Sequence, residues 1–114
     1  MLRGKKIVVV MPAYNAEKTL AQTFNEIPKD IIDEIILIDD KSDDKTSQLA
    51  KELNITTIVH DKNLGYGGNQ KSCYKAALKT GADIVIMLHP DYQYTPSLIP
   101  AIASMLVFSK YEIV

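Results

Sequence analysis

The sequence predicts an α/β protein with a mostly parallel sheet and flanking helices, and three observations carry that prediction. Short β-branched runs recur at residues 6–11, 35–38, 55–59 and 84–88. Within each run the apolar residues are largely continuous, as in strands covered on both faces of a parallel sheet. Stretches with apolar residues at helical spacing separate the runs, so strand and helix alternate. Right-handed crossovers then bring every strand-to-helix loop to one edge of the sheet.

The first strand, 6–11, ends at Pro12, which has no N–H to give a ladder. Asn15 stands where a helix N-cap belongs, and Leu20, Phe24 and Ile27 follow at helical spacing until Pro28. The second strand, 35–38, runs into Asp39 and Asp40; Ser42 or Asp43 caps a helix with Leu49, Ala50 and Leu53 inward. After the third strand, 55–59, a loop over 60–68 carries Gly65, Gly67 and Gly68. A helix over 69–79 turns Cys73, Tyr74, Ala77 and Leu78 inward, and Gly81 closes it beyond Thr80. The fourth strand, 84–88, delivers His89-Pro90-Asp91-Tyr92-Gln93-Tyr94. Ser97 caps a last helix with Pro100 in its first turn, and 111–114 read as the first residues of a fifth strand. The chain therefore reads as one partial domain, truncated after the start of that strand.

Composition narrows the function. With 114 residues the default is a single domain. The balance of 13 basic and 14 acidic residues, net charge -1, includes no Lys/Arg run, which argues against nucleic acid as a partner. Cys73, the one cysteine, excludes an internal disulfide framework and a cysteine-based zinc cluster. The longest apolar stretch, 98–108, is interrupted by Pro100 and Ser104 and falls short of the roughly 20 residues that span a bilayer. The expected location is cytoplasmic.

The converging loops gather most of the unusual polar chemistry: Tyr14, Glu17, Asp39, Asp40, Asn69, Lys71, His89, Asp91 and Gln93. Each has a plain alternative. Asp39 and Asp40 suit a solvated turn, Tyr14 a surface aromatic, Glu17 a first-turn acid favoured by the helix dipole, and Asp91 a turn carboxylate. The glycine loop is weak evidence for phosphate binding, because Gln70 stands where a dinucleotide fingerprint places its third glycine. Cys73 reads as a small buried hydrophobe and His60 as a loop residue.

Three motifs occur in order: Met11-Pro12-Ala13-Tyr14-Asn15-Ala16-Glu17, then Ile38-Asp39-Asp40-Lys41-Ser42-Asp43-Asp44-Lys45-Thr46, then His89-Pro90-Asp91-Tyr92-Gln93-Tyr94. On these the chain resembles the amino-terminal half of a family 2 glycosyltransferase, nearest the branch of dolichyl-phosphate mannose synthases and related polyprenyl-phosphate sugar transferases. The resemblance implies a Rossmann-like GT-A fold that holds a nucleoside diphosphate sugar, UDP- or GDP-linked, with Mg2+ or Mn2+. It implies inverting transfer to a polyprenyl-phosphate or saccharide acceptor, with peripheral contact at a membrane surface. Donor contacts are then expected from Pro12, Ala13, Tyr14, Glu17, Asp39, Asp40, Lys71, Asp91 and Gln93, and metal contacts from Asp91 and His89.

The family usually shows two aspartates flanking one residue at the last of these strand ends, and here His89 holds the first position. Its imidazole has three open roles: a ligand for Mn2+, a hydrogen bond to phosphate, or packing. In the physical reading, Tyr14 gives a nucleobase a flat contact and Asp39 or Asp40 an acceptor, while a carboxylate-held cation neutralises the diphosphate. The catalytic base and acceptor site are expected beyond Val114, so the isolated chain is expected to have little or no transferase activity. The exposed edge left by the cut strand favours self-association. A non-catalytic nucleotide-binding or interaction module is the main alternative. A receiver-like domain expects its acid pair after the first strand, and a nucleotidyltransferase a glycine- and basic-rich loop where Pro12-Ala13-Tyr14-Asn15 stands.

Overall fold

A computed structural model of the chain describes residues 4–90. The order is β1 (Ile7–Ala13), α1 (Leu20–Asn25), β2 (Glu34–Asp39), α2 (Thr46–Glu52), β3 (Thr56–Val59), α3 (Gly65–Lys79) and β4 (Ile84–Met87). The last helix expected from Ser97 and the strand expected from 111 lie outside the described residues, as do Asp91 and Gln93.

The four strands form one parallel sheet in the order β3-β2-β1-β4. β1 is central and buried along its whole length, as its continuous apolar run requires. Alternate side chains serve opposite faces. Ile7, Val9 and Met11 pack with Leu20, Leu37 and Ala50 beneath α1 and α2, while Val8 and Val10 pack with Ile36, Ile38, Cys73 and Ala77 beneath α3. Helices thus cover both faces.

The chain winds from β1 to β2 to β3, then crosses back through α3 and adds β4 on the far side of β1. Strand order therefore reverses between β1 and β4. In open α/β sheets the crevice outside the carboxyl ends of the strands, at such a reversal, is where ligands bind.

The structure departs from the expected boundaries in several places. Pro12 does not end β1, which pairs through Pro12 with Ile38 and Ala13 with Asp39. The Val10 carbonyl accepts from the Leu88 N–H, so residues 8, 10 and 12 face β4; that strand stops at Met87, and Pro12 has no ladder donor to supply. Asn15 does not cap α1, which begins at Leu20. It adopts a left-handed φ of 53° and reaches across to the loop after β2. Neither Ser42 nor Asp43 caps α2; Asp44 accepts from both the N–H and the hydroxyl of Thr46 instead. α3 begins at Gly65 and absorbs the glycine loop into its first turn. Leu78, expected inward, is exposed, whereas Cys73 and Ala77 are buried and Tyr74 packs against their cluster. Gly81 closes the helix with a φ of 78°, as a C-terminal glycine should.

Candidate functional site

A cleft of about 640 Å³ opens at the reversal point, at the carboxyl ends of β1 and β4. The end of β1 gives Pro12, Ala13, Tyr14 and Ala16; the end of β2 gives Asp40. The approach to α3 and its first turns give Asn63, Gly65, Tyr66 and Asn69, and the end of β4 gives His89 and Pro90.

The β1 loop is laced to the β2 loop by hydrogen bonds. The Asn15 N–H donates to Ser42 Oγ at 2.8 Å, and Asn15 Oδ1 accepts the Asp43 N–H at 2.9 Å. The Ala16 N–H donates to Thr46 Oγ1 at 2.8 Å and the Glu17 N–H to Asp44 Oδ2 at 3.2 Å. The Pro90 carbonyl accepts from the hydroxyls of Thr19 and Thr23, which ties the end of β4 to α1. Burial acts to raise the Asp44 carboxyl, but the Thr46 hydroxyl, the Thr46 N–H and the Glu17 N–H outweigh it and hold the group below its ordinary 3.8.

The two aspartates of β2 have separate tasks. Asp39, 2 % exposed, closes the turn by accepting the N–H and hydroxyl of Ser42, and it does not border the cleft. Asp40, 4 % exposed, does border it. Its Oδ1 accepts the Leu64 N–H and His60 Nδ1, both at 2.8 Å, and its Oδ2 accepts the Gly65 N–H at 3.0 Å. A carboxylate offers about four acceptor positions. Three go to these protein groups, which leaves room for one more donor hydrogen.

Opposite, Tyr14 is 51 % exposed and offers an aromatic face. Tyr66 stacks on His89, with ring centroids 5.3 Å apart and planes at 27°, and its hydroxyl lies 2.8 Å from His89 Nε2. Asn69, buried, donates from Nδ2 to the Ile38 carbonyl at 3.0 Å and so pins α3 to the end of β2.

Of the residues expected at a donor site, Pro12, Ala13, Tyr14, Asp40 and His89 therefore meet in one cleft. Glu17 lies on the laced loop and is not among the residues that line the cleft. Lys71 is exposed on α3 two residues from buried Asn69 and from buried Cys73, about 200° around the helix from each. Asn63, Tyr66 and Asn69 line the cleft without having been assigned a contact from sequence. The run Asn63-Leu64-Gly65-Tyr66 at the end of the loop was the available signal, since loops at this edge converge.

The described residues do not by themselves assemble a metal centre: no group of three His, Cys, Asp or Glu side chains comes together among them. Asp40, the carboxylate in the lining, is committed to amides and an imidazole. His89 borders the cleft, and its expected companion Asp91 lies outside the described residues.

Residues 8–114 match the family model described as Glycosyl transferase family 2. Uncharacterized protein MJ1222 of Methanocaldococcus jannaschii is 33% identical over 94% of this chain and 44% of its own length. The UDP-N-acetylglucosamine–dolichyl-phosphate N-acetylglucosaminyltransferase of Methanococcus voltae is 30% identical over 99% of this chain and 52% of its own. The chain thus spans about half the length of these relatives. Among solved structures, glucosyl-3-phosphoglycerate synthase from Mycobacterium tuberculosis, in complex with Mn2+, UDP and phosphoglyceric acid, superposes with a TM-score of 0.74 at 26% identity, covering 90% of this chain and 39% of that one.

Proposed function

This chain belongs to glycosyl transferase family 2, and from that premise we propose that the cleft between β1 and β4 holds the nucleoside diphosphate part of a nucleotide sugar. The observation that carries the reading is Asp40: a buried carboxylate with one acceptor position left, facing an aromatic residue across a cleft at the sheet's reversal point. A uracil or guanine ring stacks on Tyr14 and gives an N–H to Asp40, while Pro12 and Ala13 form the floor. UDP is the first choice, because a uridine nucleotide appears in the name of one relative and is bound in the structural neighbour.

The diphosphate then points towards His89 and the segment after β4. A divalent cation, Mg2+ or Mn2+, supplies charge neutralisation to the departing nucleotide when bound. Asp91 and His89 are its proposed ligands, supported by the Mn2+ and UDP of the structural neighbour. His89 suits this placement because its ring borders the cleft and is held there by the Tyr66 stack. The proposed acceptor is a polyprenyl phosphate, the class named in the Methanococcus voltae relative. Acceptor binding and the base are assigned to parts of the enzyme other than these 114 residues, so the chain alone binds donor nucleotide without transferring sugar.

Peripheral contact with a lipid-borne acceptor is part of this proposal; among the described residues no helix is long and apolar enough to cross a membrane. The test is a titration of UDP-N-acetylglucosamine and GDP-mannose with Mn2+ into the wild-type chain and Asp91→Ala, alongside a transfer assay with a polyprenyl phosphate. Binding that weakens in Asp91→Ala, without turnover, is expected. Absence of binding by either donor contradicts the donor cleft, and turnover contradicts the division of labour.

A further inference from the structure

His60 does not border the cleft, yet it is joined to the cleft's buried carboxylate. It follows β3, and its side chain is 10% exposed. Nδ1 lies 2.8 Å from Asp40 Oδ1, and Nε2 lies 2.8 Å from Ser72 Oγ on the second turn of α3. The carboxylate accepts, which assigns a hydrogen to Nδ1; the one hydrogen of the Ser72 hydroxyl is shared between Nε2 and the Gly68 carbonyl, 3.2 Å from Ser72 Oγ. The backbone N–H of His60 donates to the Asp39 carbonyl at 2.9 Å, so the residue is anchored to β2 at both its main chain and its ring. One imidazole therefore spans from the end of β2 to the body of α3.

What it holds matters more than where it sits. The Asp40 carboxylate accepts the Leu64 and Gly65 N–H groups, at the N-cap and first residue of α3, and Asn63 Nδ2 donates to the Asp40 carbonyl at 3.2 Å. Without the imidazole, the Leu64 and Gly65 amides would hold one carboxylate oxygen each, and each oxygen would keep an acceptor position open. With it, Oδ1 takes two donors and Oδ2 one, so the acceptor position left for a ligand is on Oδ2.

We propose that His60 is a positioning residue for the nucleotide cleft. Through its Nδ1 arm it fixes Asp40 against the first amides of α3, and so sets both the ligand-facing oxygen and the α3 wall. The Ser72 arm orients the ring and is secondary. The effect on nucleotide affinity rests on the donor-cleft reading above; the effect on the amides does not.

Asn and Gln separate the arms, because Asn Nδ2 stands where Nδ1 does and Gln Nε2 where Nε2 does. Amide hydrogen exchange is measured on the wild type, His60→Asn, His60→Gln and Ser72→Ala, with UDP affinity and melting temperature on the same samples. The proposal expects exchange at Leu64 and Gly65 to rise about tenfold or more in His60→Gln, the order set by one charge-assisted hydrogen bond. His60→Asn and Ser72→Ala should stay near wild type at both amides. UDP affinity should fall in His60→Gln and hold in the other two, even where the His60→Asn and His60→Gln melting temperatures agree. Equal exchange in the Asn and Gln variants overturns the proposal, whichever level they share. If the wild type does not bind UDP, the donor-cleft reading fails while the exchange comparison still decides the role of His60.

Discussion

At the scale of single residues, Asp40 and Cys73 give opposite examples of a buried polar group. Asp40 is buried where three donors meet it, so Asp40→Asn, whose amide nitrogen cannot accept, turns an N–H towards at least one of them. The expected loss is about 1–3 kcal/mol of stability, read as a lowered midpoint in denaturant with unchanged slope. Cys73 is buried among apolar neighbours, and burial pushes its thiol up to about 12. It should stay unmodified by a thiol reagent at neutral pH in the native protein and react on unfolding; fast native-state labelling would contradict its position on the buried face of α3. Sequence reading found Asp40 and the inward phase of Cys73 and Ala77. That same phase turns Lys71 to solvent, away from the cleft lining in which a donor contact was expected of it. His60 was not legible as more than a loop residue, because its partners Asp40 and Ser72 are 20 and 12 residues away along the chain.

At the scale of elements, the amino-terminal turn of α3 and the two laced loops build the cleft. Gly68 sits where a Cβ would lie 2.8 Å from Leu64 Cβ, whereas one on Gly67 meets nothing within 4 Å. Gly67→Ala should therefore stabilise the ligand-free protein by about 0.4–1 kcal/mol through reduced chain entropy, and Gly68→Ala should destabilise it; thermal melts of the pair check the contrast. Asp44 gives the laced loops an acid-sensitive tie. Its carboxyl lies below 3.8 when folded, so its contribution is present above the unfolded value and lost as pH falls through the folded one. Asp44→Asn should flatten that part of the stability–pH curve below about pH 4, and an unchanged acid limb would refute the assignment. The strands were legible because parallel sheets demand continuous apolar runs. The loop bonds were not, since Asn15 looks like a cap until the neighbouring loop is in place to receive it.

At the scale of the whole molecule, the strand order β3-β2-β1-β4 does what no single motif does: it reverses beside β1 and opens a crevice there. The sheet that fixes this reversal depends on its doubly covered core. Leu37→Ala, at a fully buried position of β2, should cost about 2–5 kcal/mol in a denaturant titration. Family membership was legible because three motifs fall at three strand ends in order, and parallel strands bring those ends to one edge of the sheet. The account's central claim is that this crevice is the nucleotide site. Mapping backbone amide shifts during a UDP titration tests it most directly. Saturable changes centred on Tyr14, Leu64, Gly65, Tyr66 and Asn69 are the predicted result. Changes centred elsewhere on the sheet, or none at millimolar UDP, would contradict it.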